Sequence, residues 1–208
     1  MFSGRWIHLT DQKYNTVLTG SGFLMYEFKQ LVKLQLDGFT NEEIKKKVVD
    51  ENYLQYKKTT SISRAFPYLL QRVDALDDEL KRMVIEEDLQ VAKVINFYSI
   101  MKTNRLFYEF MDEVVEELLQ HPDSILEKKD VNVFFTNKAE QSEFIRNLAE
   151  STTKRLQSAF LKVLLEVGIL SDLRTRQVNR LFIDEHLKDH LIQIGDTKYL
   201  KAMGEYEG

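Results

Sequence analysis

The chain has 208 residues and a net charge of −4, with 43% hydrophobic and 30% charged residues. This balance excludes a disordered chain and fits a globular protein of one large domain or two small ones. The absence of cysteine excludes disulfides, thiolate nucleophiles and cysteine-ligated zinc. Eight glycines and two prolines favour long helices over a turn-rich β fold.

Charge is distributed unevenly along the chain. Residues 1–75 hold 11 basic and 8 acidic side chains, residues 76–130 hold 7 and 14, and residues 131–208 hold 11 of each. Both ends are therefore free to carry positive surface. The start lacks the apolar core of a signal peptide, and no run of 18 apolar residues occurs, so we expect a cytoplasmic protein without a membrane segment.

Residues 1–76 are predicted to form an N-terminal arm followed by a helix-turn-helix-like region. Apolar side chains from Leu24 to Val32 repeat at helical spacing. Gly38 is placed where a helix end favours a residue with positive φ. Thr40 and Glu43 have the spacing of a capping box, which predicts a second helix from Asn41.

The segment that follows is basic and leads into a third helix. Between Lys45 and Arg72 there are seven Lys or Arg residues and two acidic ones. Residues 59–61 offer N-caps for this helix, and Pro67 predicts that it kinks or restarts. Hydroxyls and arginine at a helix start suit binding to phosphates and base edges. The DNA contacts predicted here are Lys45, Lys46, Lys47, Lys57, Lys58, Thr60, Ser61 and Arg64.

A structural interpretation of the same residues stays open. Two helices joined by a glycine turn occur in many all-α proteins that never contact nucleic acid. A run of lysines is usually a solvated face of a helix.

Residues 77–121 are predicted to form acidic central helices. Residues 86–88 break the pattern, residues 89–101 form a strongly apolar and central helix, and Asn104 caps the next one. The exposed face of the last helix is predicted to be acidic and to comprise Glu109, Asp112, Glu113, Glu116 and Glu117. Such a face could dock a basic partner, which gives the alternative of a protein–protein adaptor.

The C-terminal region, residues 122–208, begins after the helix-ending His121-Pro122 pair. A short apolar run over residues 131–135 is predicted to be a strand or a buried turn. Thr136 is then predicted to cap a helix that continues to about Ala149.

A second basic stretch covers residues 151–180. Ser151 or Thr152 is predicted to cap a helix that ends at Gly168, and a polar loop follows. This order is typical of a winged-helix unit, although a plain helical hairpin with a charged loop explains it equally well. The predicted fold is therefore all-α with two helical subdomains, the second helical or winged-helix-like, and room for one short β element. The DNA contacts predicted here are Lys154, Arg155, Arg174, Arg176 and Arg180.

No motif for catalysis stands out. The GSG at residues 20–22 lacks the lysine and spacing of a phosphate-binding loop. His186 and His190 lie one helical turn apart and could bind zinc with a third ligand, but such pairs are far more often surface residues. We predict no enzyme, no cofactor, no metal site and no small-molecule substrate.

Three stretches carry a resemblance to a known family. Residues 31–76 contain LQLDGFTNEEI, ENYLQYKKTTSISR and LLQRVDAL, and residues 100–117 read IMKTNRLFYEFMDEVVEE. Near the end, an STTKR helix runs into LLEVGIL and closes near TKYLKAM. In this order, from about Gly20 to Met203, the chain resembles BrxA, the small all-helical component of BREX bacteriophage-exclusion systems.

The resemblance implies a cytoplasmic component of a multi-gene defence system that restricts phage replication and marks host DNA by adenine methylation through a partner methyltransferase. It also implies a non-enzymatic role, double-stranded DNA affinity through helix-turn-helix-like elements, and other BREX subunits as partners. The dominance of lysine over arginine, asparagine and glutamine in the basic segments predicts weak sequence preference.

Overall fold

A computed structural model describes residues 12–205. Within this range the secondary structure is helical and contains no β-sheet, which confirms the predicted all-α fold. The helices of the first half are α1 (Met25–Leu36), α2 (Asn41–Lys45), α3 (Thr59–Asp74), α4 (Asp78–Glu86) and α5 (Leu89–Thr103). Those of the second half are α6 (Arg105–Phe110), α7 (Glu116–Leu119), α8 (Lys128–Gln141), α9 (Glu143–Arg146), α10 (Glu150–Val167), α11 (Glu185–Gln193) and α12 (Thr197–Ala202).

Shorter helical segments complete the chain path. A 3₁₀ turn covers Val17–Thr19. A π-helical segment at Lys46–Asp50 extends α2, and a second one at Met111–Val115 joins α6 to α7. The predicted N-terminal arm lies partly outside the described residues. Its described part is tied to the helices, since the Gln12 side chain donates a hydrogen bond to the Lys102 carbonyl at 3.0 Å.

Several helix boundaries follow the predicted signals. Gly38 has φ of 89°, and Gly168, which ends α10, has φ of 98°. The Thr40–Glu43 capping box is formed in both directions and starts α2 at Asn41. The Asn104 side chain accepts a hydrogen bond from the Phe107 amide and caps α6.

Three predicted helix starts are wrong. The N-cap of α3 is Lys58, whose extended backbone precedes Thr59, and the N-cap of α10 is Ala149. Helix α8 is capped by Glu127, which forms a capping box with Asp130, so Thr136 lies inside this helix. Hydroxyl residues inside the first helical turns bond backward to carbonyls instead, as the Thr153 hydroxyl does to the Ala149 carbonyl.

The apolar run at residues 131–135 is part of α8, so the prediction of a strand or buried turn is wrong. Val131, Phe134 and Phe135 are buried, whereas Asn132 and Val133 are exposed. The spacing i, i+3, i+4 is that of one helix face, and the capping box upstream extends the helix through the run.

Helix α3 continues through Pro67, so a restart at this residue is wrong. Proline cannot donate to the Ser63 carbonyl one turn back. Pro67 and Ser63 both lie on the exposed side of α3, where water can hydrate this carbonyl. Ile62, Ala65 and Phe66 on the other side are buried and hold the helix against the core.

Helix α5 is the centre of the fold, as predicted. All but one of its residues from Val91 to Met101 are buried, and it contacts α1, α3, α4, α6, α10 and α12. A helix that is apolar on every side is stable only when other elements surround it. Phe97 from α5, Phe107 from α6 and Phe160 from α10 form edge-to-face contacts at 5.7 and 5.0 Å. The predicted boundaries at residues 76 and 121 fall between helices, and this core joins the regions on either side of them.

Two buried charged side chains, Asp196 and Lys138, form ion pairs inside the fold. Asp196, the N-cap of α12, accepts hydrogen bonds from Tyr98 and from Lys102, the latter at 2.6 Å. Lys138 is buried and pairs with Glu109 at 2.6 Å and with Glu113. These contacts fasten α12 to α5 and α8 to α6.

The predicted acidic face of α6 and α7 is therefore only partly exposed to solvent. Burial opposes ionisation of Glu109, but hydrogen bonds from Lys138, Arg105 and Tyr14 hold the pKa of this carboxyl below its ordinary value. Glu109 therefore has a structural role as a paired carboxylate. Its predicted place on the exposed acidic face is wrong.

Replacing Tyr14 by phenylalanine is expected to destabilise the protein by about 1 kcal/mol near pH 8, and this cost should vanish between pH 10 and 12. The Tyr14 hydroxyl donates to Glu109 at 2.7 Å. Burial and that hydrogen bond raise the pKa of Tyr14 from 10.0 to about 12. The contribution is present below the unfolded pKa and is lost as pH rises through the folded value. Urea unfolding of both proteins across this range measures the difference, and a cost independent of pH would contradict the assignment.

The loop after α10 forms two isolated antiparallel bridges, Ile125 with Gln177 and Leu170 with Val178. The Val178 amide donates to the Ser124 carbonyl at 2.8 Å. No wing of paired strands forms within residues 12–205, so the described chain matches the charged-loop alternative better than a winged helix. None of the helices in this range is both long and apolar enough to cross a lipid bilayer.

Candidate nucleic-acid interface

The predicted DNA-contacting cations lie on the surface. All but Lys47 and Arg176, which are half-buried, are exposed. Of the eleven, Lys154 pairs with Glu150 at 2.6 Å and Arg180 with Glu205 at 3.6 Å. The other nine form no ion pair within 4 Å among residues 12–205, so most of the positive charge is available to a ligand.

Helix α3 presents one exposed polar stripe. Thr60, Ser61 and Arg64 are exposed on its first two turns, and Tyr68 follows one turn after Arg64. The opposite face packs into the core. This amphipathic arrangement fixes the direction of the stripe relative to the body of the protein.

Helix α10 presents a second stripe that lines a groove of about 760 Å³. Lys154, Ser158 and Lys162 follow one another at four-residue spacing, and Arg155 lies beside them. The opposite wall is the segment at residues 18–27, which leads into α1. Two carboxylates, Glu27 and Glu166, also line the groove, against three cations of α10.

Two buried side chains hold this opposite wall. Arg72 from α3 donates to the Gly22 carbonyl at 2.7 Å and to both the carbonyl and the hydroxyl of Ser21. Asn96 from α5 donates to the Phe23 carbonyl at 2.7 Å. Arg72 belongs to the seven basic residues of the N-terminal segment, yet it is only 2% exposed and cannot bind a ligand directly.

Burial lowers the pKa of Arg72 to about 9, so the guanidinium remains protonated at neutral pH. Its charge lies beneath the groove wall and is compensated there by carbonyl oxygens and a hydroxyl. In addition, α1 begins at this wall without a side-chain cap, because its N-cap is Leu24 in the left-handed conformation. The positive charge of Arg72 beneath the wall and the uncapped start of α1 both favour a negatively charged group in the groove.

A second cavity of about 380 Å³ adjoins the groove. It is lined by Arg64 and Tyr68 from α3, by Phe144 from α9 and by residues 14–17. Both cavities share Thr19 and Gly20. The structure thus brings Arg64 of the N-terminal basic stretch and the Lys154–Arg155 pair of the C-terminal one to the same short segment.

Lys57 and Lys58 lie next to this region. Tyr56, immediately before them, donates a hydrogen bond to Glu27 at the rim of the groove. Lys45, Lys46 and Lys47 are more distant along the chain, on α2 and its π-helical extension, which contacts α3. The Lys47 ammonium lies over the Phe39 ring at 4.6 Å from the centroid.

The loop at residues 171–180 is not brought to the groove. No residue of this loop lines the groove. The Lys154 end of the groove lies fourteen residues of helix, about 20 Å, before the C-terminal end of α10, whereas the Glu166 end is close to the loop in sequence. Arg174, Arg176 and Arg180 lie on this loop or at its end, near residues 123–126. They therefore form a separate positive region.

The two histidines of α11 contact carboxylates of α4 and its flanks. His190 Nε2 lies 2.8 Å from Asp77, and His186 lies 3.6 Å from Glu79. Across the described residues 12–205, no group of three or more His, Asp or Glu side chains has an arrangement suited to a metal ion.

Four contributors to the site were not predicted from the sequence. Lys162 is two turns after Lys154 on the same helix face, so periodicity alone would have included it. Tyr68 and Phe144 line the second cavity, although neither carries a charge that marks it in the sequence. The first part of the wall, residues 18–23, precedes the helical spacing that begins at Leu24 and shows no helical pattern of its own.

The comparisons with known proteins agree on one family. The sequence model of BrxA matches residues 12–195. A protein named BREX protein BrxA from Bacillus cereus (strain H3081.97) is 32% identical over 93% of this chain and 97% of its own length. Another of that name, from Paramagnetospirillum magneticum (strain ATCC 700264 / AMB-1), is 22% identical over 94% of this chain and 98% of its own.

A solved structure shares the fold. The crystal structure of an uncharacterized protein from Magnetospirillum magneticum superimposes with a TM-score of 0.82 at 21% identity, covering 92% of this chain and 98% of that one.

Proposed function

The chain belongs to the BrxA family, and on this premise we propose that it is a non-enzymatic component of a bacterial BREX phage-defence system that binds double-stranded DNA with weak sequence preference. Its partners are then duplex DNA and other BREX subunits, and its place is the cytoplasm. The name of the relatives supports a role in a BREX system, and the exposed cations support DNA as the ligand.

One observation carries the DNA-binding part of this proposal. Cations from two stretches about ninety residues apart in sequence, Arg64 and the Lys154–Arg155 pair, line adjoining cavities that meet at Thr19 and Gly20. Residues so far apart meet only in the folded state. Cations grouped along adjoining cavities can neutralise successive phosphates of one DNA strand.

The geometry suggests how a duplex would lie. The groove along α10 accepts one sugar–phosphate strand, with Lys154, Arg155 and Lys162 on one side and the uncapped start of α1 on the other. The stripe of α3, with Thr60, Ser61 and Arg64, then faces the adjacent DNA groove. Lysine and hydroxyl contacts to phosphate give affinity without sequence readout, and one arginine allows a guanine contact.

A salt titration of wild-type protein tests the proposal. With about six phosphates engaged, the affinity for a labelled duplex should fall by roughly a thousandfold between about 50 and 200 mM NaCl. Fluorescence anisotropy with two duplexes of unrelated sequence measures both the affinity and the sequence preference. Affinity that does not change with salt, or no binding at low salt, would reject the proposal.

The adaptor alternative has weaker support from the structure. Glu109 and Glu113 of the acidic face already form ion pairs with Lys138. Glu117 remains exposed. Co-purification of other BREX subunits that is lost on changing Glu117 to lysine, together with no DNA retention, would favour the adaptor over the DNA-binding function.

A further inference from the structure

We propose that the cavity bounded by Arg64, Tyr68 and Phe144 binds one unpaired nucleobase of DNA. This inference rests on the proposed function in that DNA is the ligand. It goes further because it assigns a second site with a different chemistry, stacking on aromatic rings, beside the phosphate groove.

Both rings are exposed to solvent. Tyr68 is 41% and Phe144 is 45% exposed. Neither ring packs on another aromatic ring within residues 12–205, although seven other phenylalanines and tyrosines form ring contacts in the core. The two come from helices that are far apart in sequence, α3 and α9, and line one cavity. Exposed rings that converge on a cavity provide a surface for a flat π-system.

Polar groups around the rings suit a nucleotide. Arg64 lies one helical turn before Tyr68 on the same exposed stripe, where its guanidinium can reach a phosphate or stack on a base. Asn15 Oδ1 accepts hydrogen bonds from the Val17 amide and from Asn104 Nδ2 at 3.0 Å. That fixes the orientation of the Asn15 amide, whose NH₂ group has no acceptor among the described residues and can donate to a base edge.

Continuity with the phosphate groove favours a base over other flat ligands. The cavity shares Thr19 and Gly20 with the groove, so a strand lying along α10 passes its mouth. A volume of about 380 Å³ lies within the range of small-ligand sites. A base that is paired and stacked inside a duplex cannot enter a cavity between α3 and α9. The occupant is therefore a base that is already unpaired or is turned out of the stack.

The test compares three labelled duplexes that differ at one central position. The first is fully paired, the second carries one extrahelical base, and the third carries an extrahelical abasic residue in the same place. The third keeps the backbone distortion but removes the ring system. We expect the duplex with the extrahelical base to bind roughly 5- to 150-fold more tightly than the abasic one.

Tyr68→Ala and Phe144→Ala should each remove most of this preference, whereas Tyr68→Phe should keep it, because the ring remains. Phe182→Ala is the matched control, since Phe182 is 74% exposed and lines neither cavity. Equal affinity for the base and abasic duplexes, or a preference that survives both alanine variants, would overturn the inference.

These outcomes are separable from failure of the proposed function. Salt-dependent binding of the fully paired duplex without any base preference rejects the base site alone. Binding of only the duplex with the extrahelical base, with the expected variant pattern, supports the base site and rejects general duplex binding.

Discussion

Changing Arg64, Lys154 and Arg155 together to glutamate is expected to lower the affinity for duplex DNA by roughly 10²- to 10³-fold at about 100 mM salt. Each of these side chains is exposed and lines one of the two adjoining cavities. Removing each phosphate contact forfeits the release of about one counterion, and a carboxylate in its place repels the strand. Anisotropy titration with a labelled duplex measures the loss.

The matched control changes Arg174, Arg176 and Arg180 to glutamate, which alters the net charge by the same amount. These arginines lie beyond the far end of α10, so we expect a decrease of less than about tenfold. If both triple variants lose affinity equally, binding depends on overall charge and the groove has no special role. Circular dichroism and melting temperature establish that both variants are folded.

Replacing Arg72 by alanine is expected to lower the free energy of unfolding by about 3–5 kcal/mol. Arg72 is among the largest fully buried side chains and makes three hydrogen bonds to Ser21 and Gly22. Its removal creates a cavity and leaves the carbonyl oxygens of Ser21 and Gly22 without their hydrogen-bond donor. The wall of the phosphate groove loses its anchor at the same time. Urea unfolding at neutral pH gives the free energy.

Arg64→Ala provides the comparison for this change within the same helix. Arg64 is exposed and two turns earlier in α3, so its truncation should alter stability by no more than about 0.5 kcal/mol. The sequence does not distinguish Arg72 from Arg64, but the two variants separate their roles. Arg72 stabilises the fold, whereas Arg64 is proposed to bind DNA. A loss below about 1 kcal/mol for Arg72→Ala would show that the segment at residues 18–27 does not depend on this anchor.

The fold class and several boundaries could be predicted because their causes are local. The Thr40–Glu43 capping box, the positive φ of Gly38 and Gly168 and the cap at Asn104 each depend on residues within one turn. The central position of α5 follows from its apolar composition on every face.

Other features were misjudged where two local signals compete. Hydroxyl residues mark N-caps on average, but α3 and α10 begin before theirs, and the hydroxyls lie inside the first turns. The apolar run of α8 fits a strand as well as one helix face until the capping box at Glu127 is considered.

The candidate site was predictable in part. The charged residues and their exposure follow from composition and helical spacing. Their meeting point does not, because it depends on contacts such as Arg72 with Ser21 and Asn96 with Phe23, which join distant parts of the chain. The expected interruption at Pro67 also hid Tyr68, which belongs to the stripe of Arg64 only if α3 is continuous.

Site-specific cross-linking tests most directly whether DNA lies in the groove between α10 and the segment at residues 18–27. The chain contains no cysteine, so Ser158→Cys introduces a single thiol between Lys154 and Lys162 for attachment of a photoreactive group. Thr175→Cys places the same group on the loop beyond α10. We expect duplex DNA to cross-link from position 158 and much less from position 175. Cross-linking from position 175 with none from position 158 would contradict the account.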